Sequence, residues 1–152
     1  MRVCGIDPGA SGAMCVLDSK DPTYTALLDL KKHTIYEATK WLHNQQVNTA
    51  WLENVHSLFG MSAKSNFGFG RNLGYAIAIS QIGTSGAIAR TVAPKVWQKY
   101  IGVTVKGKAI KNQVAQIAAS IYPSASLHGK LGGLLDGRSD ALMLAYYGIN
   151  HP

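Results

Sequence analysis

Acidic residues are scarce in this sequence, and a long central stretch contains none of them. Only eight of the 152 residues are Asp or Glu, against fifteen Lys and Arg, which gives a formal net charge of +7. No acid occurs between Glu53 and Asp136, although nine Lys and Arg do. This one-sided excess of positive charge favours an anionic partner, and nucleic acid fits it better than a membrane surface does.

Other patterns are also missing, and each absence removes a class of protein. No apolar run approaches the roughly 20 residues of a membrane-spanning helix. The two cysteines, Cys4 and Cys15, form no Cys-x-x-Cys pair, so we interpret them as reduced core thiols, with a redox pair or half of a zinc site as alternatives. Segment 102–108 lacks the spacing of a P-loop, so no nucleotide cofactor is expected.

Apolar periodicity and turn residues predict a single α/β domain over residues 1–152. A helix start is indicated at Thr34, because Glu37 follows it at capping-box spacing. Three strands, then helices alternating with two further strands, predict a mixed five-stranded sheet with flanking helices. The expected strands are 2–6, 13–17, 23–30, 49–53 and 87–92; the expected helices are 34–46, 72–82, 94–101, 108–121 and 139–148; segment 56–70 is interpreted as a loop.

Four of the eight acids stand where surface solubility does not explain them. Asp7 and Glu53 each end an apolar strand, and Asp136 and Asp140 lie four residues apart, on one face of a helix that starts by Asp136. Carboxylates sharing one cleft repel one another unless cations neutralise them, and an all-oxygen set favours Mg²⁺ or Mn²⁺. Two ions, one activating water and one steadying the leaving oxygen, are a chemistry that such a cluster permits on a phosphodiester.

Plainer interpretations of the same acids remain open on the sequence alone. Asp7 precedes Pro8 and Gly9, where an Asp side chain often shapes a turn. Asp136 or Ser139 is also in a position to cap the last helix. A strand-end acid such as Glu53 has no comparable structural explanation.

The acids lie in motifs that resemble those of a known family. Gly5-Ile6-Asp7-Pro8-Gly9 is similar to the opening motif of the RuvC family of Holliday-junction resolvases, which are RNase H-like (retroviral-integrase-like) nucleases. Leu52-Glu53-Asn54-Val55 resembles the second acidic motif of that family, and Asp136-Gly137-Arg138-Ser139-Asp140-Ala141-Leu142 resembles the closing one. The four-residue spacing of the last two acids looks closer to phage-encoded and chloroplast resolvases than to bacterial ones.

The resemblance implies a function and a set of site residues. It implies an RNase H-like fold and a Mg²⁺-dependent endonuclease, with two ions per site and Mn²⁺ as a substitute, that resolves four-way and other branched DNA by symmetric hydrolysis. The catalytic acids and metal ligands would be Asp7, Glu53, Asp136 and Asp140. A homodimer is implied, working in the cytoplasm of a bacterium or of a phage-infected host rather than in an organelle stroma.

The resemblance and the basic stretch together suggest DNA contacts. Lys111 matches a family residue near the scissile phosphate, and an aromatic side chain after Glu53 is expected to probe the junction centre. Trp97 stands where bacterial members often have a basic residue, so the resemblance does not imply base-specific cleavage. The expected DNA-binding residues are Phe59 or Phe67 as the probe, with Lys64, Arg71, Lys106, Lys108 and Lys111.

Two other functions compete with junction cleavage. One is an RNA-processing nuclease on the same fold. The other is a non-catalytic junction-binding module, in which the acids serve only as caps and turn formers. The second of these predicts no affinity for Mg²⁺ or Mn²⁺.

Overall fold

The computed structural model of the protein describes residues 1–55, 60–84 and 89–152. Its centre is one mixed sheet of five strands: β1 (Arg2–Ile6), β2 (Ala13–Asp18), β3 (Asp21–Asp29), β4 (Thr49–Glu53) and β5 (Ala89–Val92). The spatial order is β3-β2-β1-β4-β5. Strands β1, β2 and β3 pair antiparallel, whereas β4 and β5 run parallel to β1. The predicted mixed five-stranded sheet is therefore confirmed.

Five α-helices cover the two faces of the sheet: α1 (Ile35–Asn44), α2 (Ala63–Gly83), α3 (Pro94–Tyr100), α4 (Ala109–Ile121) and α5 (Asp136–Ile149), with a short 3₁₀ turn at Leu30–Lys32. One core joins α1 and α2 to one face, and a second core joins α3, α4 and α5 to the other. Strand β1 alternates between them: Val3 is in the second core, and Cys4 and Ile6 are in the first. No helix of the described residues is long and apolar enough to span a bilayer.

Helix α2 is longer than the sequence predicts. The segment interpreted as loop, 56–70, is helical from Ala63 onward, and the helix runs on to Gly83. The Ser62 hydroxyl caps it by accepting a hydrogen bond from the Ser65 backbone N–H. Gly68 and Gly70 favour a loop in the sequence, but the inward face of the helix continues to Ala76 and Ile79, and their burial compensates for glycine in the exposed turns.

The two cysteines lie on neighbouring strands but do not face each other. Cys15 pairs with Gly5, and Cys4 pairs with Val16, so the two thiols point to opposite faces of the sheet. Both are free and buried, and burial raises the pKa of both thiols. They are therefore unreactive core residues.

Helix α5 packs directly onto the sheet because glycines remove the side chains that would separate them. A Cβ atom at Gly5 of β1 would lie 2.1 Å from the Ala141 carbonyl oxygen and 2.3 Å from the Ala145 nitrogen. At the far end of α5, a Cβ at Gly148 would lie 2.3 Å from the Trp51 ring. The start of α5 is fixed to β3 by an ion pair in which the Arg138 guanidinium donates to both oxygens of Asp29, at 2.6 and 2.8 Å.

This close approach predicts opposite effects of two glycine substitutions. Gly5→Ala places a methyl group against backbone atoms of α5 and is expected to lower the free energy of unfolding by about 3 kcal/mol or more. Gly68→Ala adds a methyl group where nothing lies within 4 Å, inside a helix, and is expected to raise it by about 0.5–1 kcal/mol. Urea unfolding followed by circular dichroism measures both; a mild effect of Gly5→Ala would contradict the packing.

Candidate active site

Asp7 lies immediately after β1, in a tight turn that it helps to shape. Its Oδ1 accepts a hydrogen bond of 2.8 Å from the Gly9 backbone N–H, and its own N–H donates to the Ala13 carbonyl. The other oxygen, Oδ2, is directed towards α5, because a Cβ at Gly137 would lie 3.1 Å from it. Asp7 therefore does shape the turn, but this role uses only its Oδ1. Its Oδ2 faces α5, the helix that carries Asp136 and Asp140.

Glu53 reaches the same edge of the sheet from the neighbouring strand. In the parallel pairing of β1 with β4, Ile6 is level with Leu52, so Asp7 and Glu53 are the next residues on adjacent strands. The carboxyl ends of parallel strands form the usual ligand-binding edge of α/β folds. Glu53 accepts a hydrogen bond of 3.1 Å at Oε1 from the Trp97 indole N–H.

Asp136 and Asp140 come from the first turns of α5, which lies against this edge. Leu135 is the N-cap residue of α5, and Asp136 is its first helical residue without capping it. The Asp136 carboxylate instead contacts the Lys111 ammonium, and it accepts a long hydrogen bond of 3.4 Å from the Ser11 hydroxyl. The helix therefore begins at Asp136, where the four-residue spacing requires it to begin for both acids to share its first turns.

Burial is the main influence on the four carboxylates, and their charges also act on one another. Burial raises the pKa of Asp140 to about 8, and the charges of Asp7, Glu53 and Asp136 add to the effect. Burial, and then the charge of Asp7, raise the pKa of Glu53 to about 7. Burial also raises the pKa of Asp7 to about 6, with Asp136 contributing and the Gly9 hydrogen bond opposing. These are the shifts expected where carboxylates are crowded together out of water.

Lys111 sets Asp136 apart from the other three acids. Burial alone would raise the pKa of Asp136, but the hydrogen bond and the charge of Lys111 outweigh burial and hold it below its usual value. The same contact raises the pKa of Lys111. The lysine ammonium is thus a built-in counter-ion at one side of the cluster.

The donor chemistry of the cluster fits a hard divalent cation. All four side chains offer oxygen, three of them carry a raised pKa, and such a set is stabilised as anions only by positive charge. As the side chains stand, however, no group of three or more His, Cys, Asp and Glu within residues 1–55, 60–84 and 89–152 is spaced to hold an ion. A cation would therefore have to draw the carboxylates closer together.

The residues predicted to contact DNA fall into two groups. Lys106 and Lys108 are exposed in the segment before α4, and Lys111 follows in its first turn beside Asp136. Lys64, Phe67 and Arg71 are exposed on α2 instead. Arg71 lines a cavity of about 310 Å³ that reaches the Asp7 turn at Pro8, Gly9 and Ala10. Phe59, the other candidate for the aromatic probe, lies outside the described residues.

Three contacts of the site were not predicted from the sequence. The hydrogen bond from Ser11 to Asp136 joins residues far apart in the chain, although Ser11 belongs to the Asp7 motif. The Lys111–Asp136 pair and the Trp97–Glu53 hydrogen bond connect different helices and strands. No local pattern signals such pairings.

Comparison with known proteins gives matches only at the level of structure. No family model matches the chain, and no curated protein matches it by sequence. The structure of RuvC from Thermus thermophilus superposes with a TM-score of 0.63 at 18% identity, covering 99% of this chain and 97% of that one. T. thermophilus RuvC in complex with a Holliday junction substrate superposes with a TM-score of 0.54 at 14% identity, covering 95% of this chain and 90% of that one. Fowlpox virus resolvase in complex with Holliday junction DNA superposes with a TM-score of 0.61 at 14% identity, covering 99% of this chain and 98% of that one.

This chain has the fold of those resolvases. The likeness covers nearly the whole length of the chain and of each neighbour, so the predicted RuvC-like, RNase H-like architecture is confirmed. The roles of individual residues rest on the geometry described above.

Crowding of the carboxylates predicts that removing one of them stabilises the metal-free protein. The pKa of Asp140 is raised in the folded state, so the folded protein binds more protons than the unfolded chain, and stability falls as pH rises from about 4 to about 8. In chelator at pH 8, Asp140→Asn is expected to raise the free energy of unfolding by about 1 kcal/mol or more, which corresponds to a rise in Tm of about 3 °C. This stabilisation should become smaller towards pH 5.

Asp136→Asn is the matched control, because Lys111 already neutralises that carboxylate and holds its pKa low. It should show no gain at any of these pH values. Thermal unfolding of both variants in parallel measures the difference. Equal behaviour of the two would contradict the burial and crowding that set Asp140 apart from Asp136.

Proposed function

We propose that the protein is a metal-dependent, structure-selective endonuclease that resolves four-way and other branched DNA junctions. The observation that carries the proposal is the placement of four acids at one edge of the sheet, with Asp7 and Glu53 at the ends of β1 and β4 and Asp136 and Asp140 in the first turns of α5. The support from outside the site is the fold, since two of the similar structures are complexes with Holliday junction DNA.

The acid cluster would hold two divalent cations per site. The cofactor would be Mg²⁺, with Mn²⁺ as a substitute. Asp7 and Glu53 on the sheet and Asp136 and Asp140 on α5 would be the ligands. The bound ions would supply Lewis acidity to the scissile phosphate and activate the attacking water. Hydrolysis with water as the nucleophile and the 3′ oxygen as the leaving group would break the bond between phosphorus and that oxygen and leave 5′-phosphate and 3′-hydroxyl ends.

Lys111 and its neighbours would orient the phosphodiester backbone. Lys111 is well exposed, with 62% of its side-chain surface accessible, so its ammonium can leave Asp136 for a phosphate oxygen. Lys106 and Lys108 precede the same helix, and no acidic residue is near them in the sequence. Contacts of this kind position a duplex without reading its bases.

The outer face of α2 supports a homodimer. Gly70 and Gly74 lie one helical turn apart on this face, with nothing within 4 Å of a Cβ added at either position. Two large apolar side chains of the same helix are also exposed, Tyr75 at 44% and Ile82 at 66%. Exposed apolar residues beside a smooth helical strip favour close packing against a second copy, and an isologous interface matches a substrate with two-fold symmetry.

The central prediction concerns Asp7, the acid whose oxygens face both the turn and α5. Asp7→Asn should reduce cleavage of a four-way junction in Mg²⁺ by about two orders of magnitude or more, because a ligand charge is lost while the shape is kept. Junction binding in chelator, measured by gel shift, should be unchanged. Undiminished cleavage by the variant would refute the mechanism.

The same assay separates the competing functions. Junction DNA, duplex RNA and an RNA–DNA hybrid are compared under one Mg²⁺ concentration, and cleavage of RNA alone would favour an RNA-processing nuclease. A calorimetric titration with Mg²⁺ and Mn²⁺ decides the other alternative. A protein that binds junctions but neither cation would be a non-catalytic module.

A further prediction tests the dimer. Gly74→Glu places a long charged side chain where the α2 face would pack closely against a second copy, and it should convert the protein to a 16.3 kDa monomer in sedimentation velocity. Lys40→Glu, on the exposed surface of α1, should leave the parental state intact. A parent protein that sediments as a monomer at cleavage-competent concentrations would contradict the proposal.

A further inference from the structure

Trp97 is a fully buried tryptophan whose polar atom is directed at the acid cluster. It lies in the middle of α3, it has no exposed surface, and it is the largest of the fully buried side chains. Its indole N–H donates to Glu53 Oε1 at 3.1 Å. A buried N–H that lacks an acceptor is costly, so the tryptophan and the carboxylate fix each other's orientation.

The orientation of the Glu53 side chain depends on this one hydrogen bond more than the orientation of Asp7 or Asp136 depends on any single contact. Asp136 is held by both Lys111 and Ser11, and Asp7 is held by the backbone of its own turn. In the described part of the chain, the Trp97 indole is the only group that donates a hydrogen bond to the Glu53 side chain. A flexible glutamate at the end of a strand would otherwise sample several rotamers.

The chemistry of the donor also matters. An indole N–H is neutral, so it engages one oxygen of Glu53 without cancelling the negative charge and leaves the second oxygen free. A lysine or arginine in its place would pair with the carboxylate and compete with a divalent ion for it. Outer hydrogen bonds of this kind align a metal ligand, and their loss typically costs about 10–100-fold in metal affinity.

We propose that Trp97 is a positioning residue for Glu53, and that its indole N–H aligns the carboxylate for divalent-cation binding. The inference rests on the proposed function, since it concerns the same acid cluster. It gives Trp97 a defined role at the position where a basic residue is common in bacterial members of the family.

The chain provides a matched control in Trp51. This residue is also buried, it packs edge-on against Tyr147 in the same core, and its indole nitrogen has no hydrogen-bond partner among the described residues. Trp51→Phe and Trp97→Phe therefore remove similar apolar volume from one core. Only the second removes a hydrogen bond to Glu53.

The first experiment is isothermal titration of the full-length protein with Mn²⁺. Trp97→Phe is expected to weaken Mn²⁺ affinity by about 10-fold or more, and Trp51→Phe by less than about twofold. Equal affinity of parent and Trp97→Phe would overturn the role of Trp97, and so would equal losses in both variants, which would indicate core packing. A parent that binds no Mn²⁺ would instead overturn the proposed function itself.

Cleavage kinetics add a signature that a purely structural role would not give. Junction binding by Trp97→Phe in chelator should match the parent. The kcat of the variant at limiting Mg²⁺ should fall by about the same factor as the affinity and recover at high Mg²⁺. A defect that high Mg²⁺ does not reduce would contradict positioning through a ligand.

A second measurement needs no variant at position 97 and covers the case in which Trp97→Phe does not fold. The indole N–H resonances of the parent are followed by nuclear magnetic resonance, with Trp41→Phe and Trp51→Phe used to assign them. Addition of Mg²⁺ should shift the Trp97 signal, because its acceptor changes its surroundings, and leave the Trp41 signal in place. A Trp97 signal that stays fixed while Mg²⁺ binds would overturn the proposal.

Discussion

The site depends on the direct contact between strand β1 and helix α5. Asp7 follows the strand and Asp136 begins the helix, so the separation of these acids is set by how closely the two backbones approach. Gly5 allows the helix to rest on the strand, and Gly137 allows its first turn to pass the Asp7 side chain, because a Cβ there would lie 2.2 Å from the Ser11 carbonyl oxygen. Larger residues at either position would move α5 away and open the cluster.

This packing concentrates negative charge at the cost of folding stability. Three of the four acids hold protons more tightly than free carboxyls, chiefly because they are buried and also because they repel one another, so the folded protein carries a cost that the unfolded chain does not. The repulsion is tolerated because the rest of α5 is anchored by apolar burial and by the Arg138–Asp29 pair. Carboxylates that ionise with difficulty on their own are the ones whose ionised form a bound cation stabilises most.

The parts of the structure that follow local rules could be predicted from the sequence. The capping box at Thr34 and Glu37 is present as its spacing indicates, and the apolar runs before Asp7 and Glu53 are adjacent parallel strands. The start of α2 was missed because Gly68 and Gly70 suggest a loop, whereas the burial of Ala76 and Ile79 further along the helix decides the outcome. The Asp29–Arg138 and Trp97–Glu53 contacts join distant parts of the chain, and no periodicity reveals them.

The two sides of the acid cluster are held by different kinds of donor, and the difference has a consequence for mechanism. Lys111 brings a full positive charge to Asp136 on a long, exposed side chain, so this contact is easily exchanged when a phosphate or a cation arrives. Trp97 brings a neutral donor to Glu53 from a buried, immobile ring, so that contact persists. Glu53 is thus oriented in the absence of a cation, whereas Asp136 would be freed if a phosphate drew Lys111 away. Under the proposed function, a cation would first bind on the Glu53 side of the cluster, and Asp136 would become available only when DNA engages Lys111.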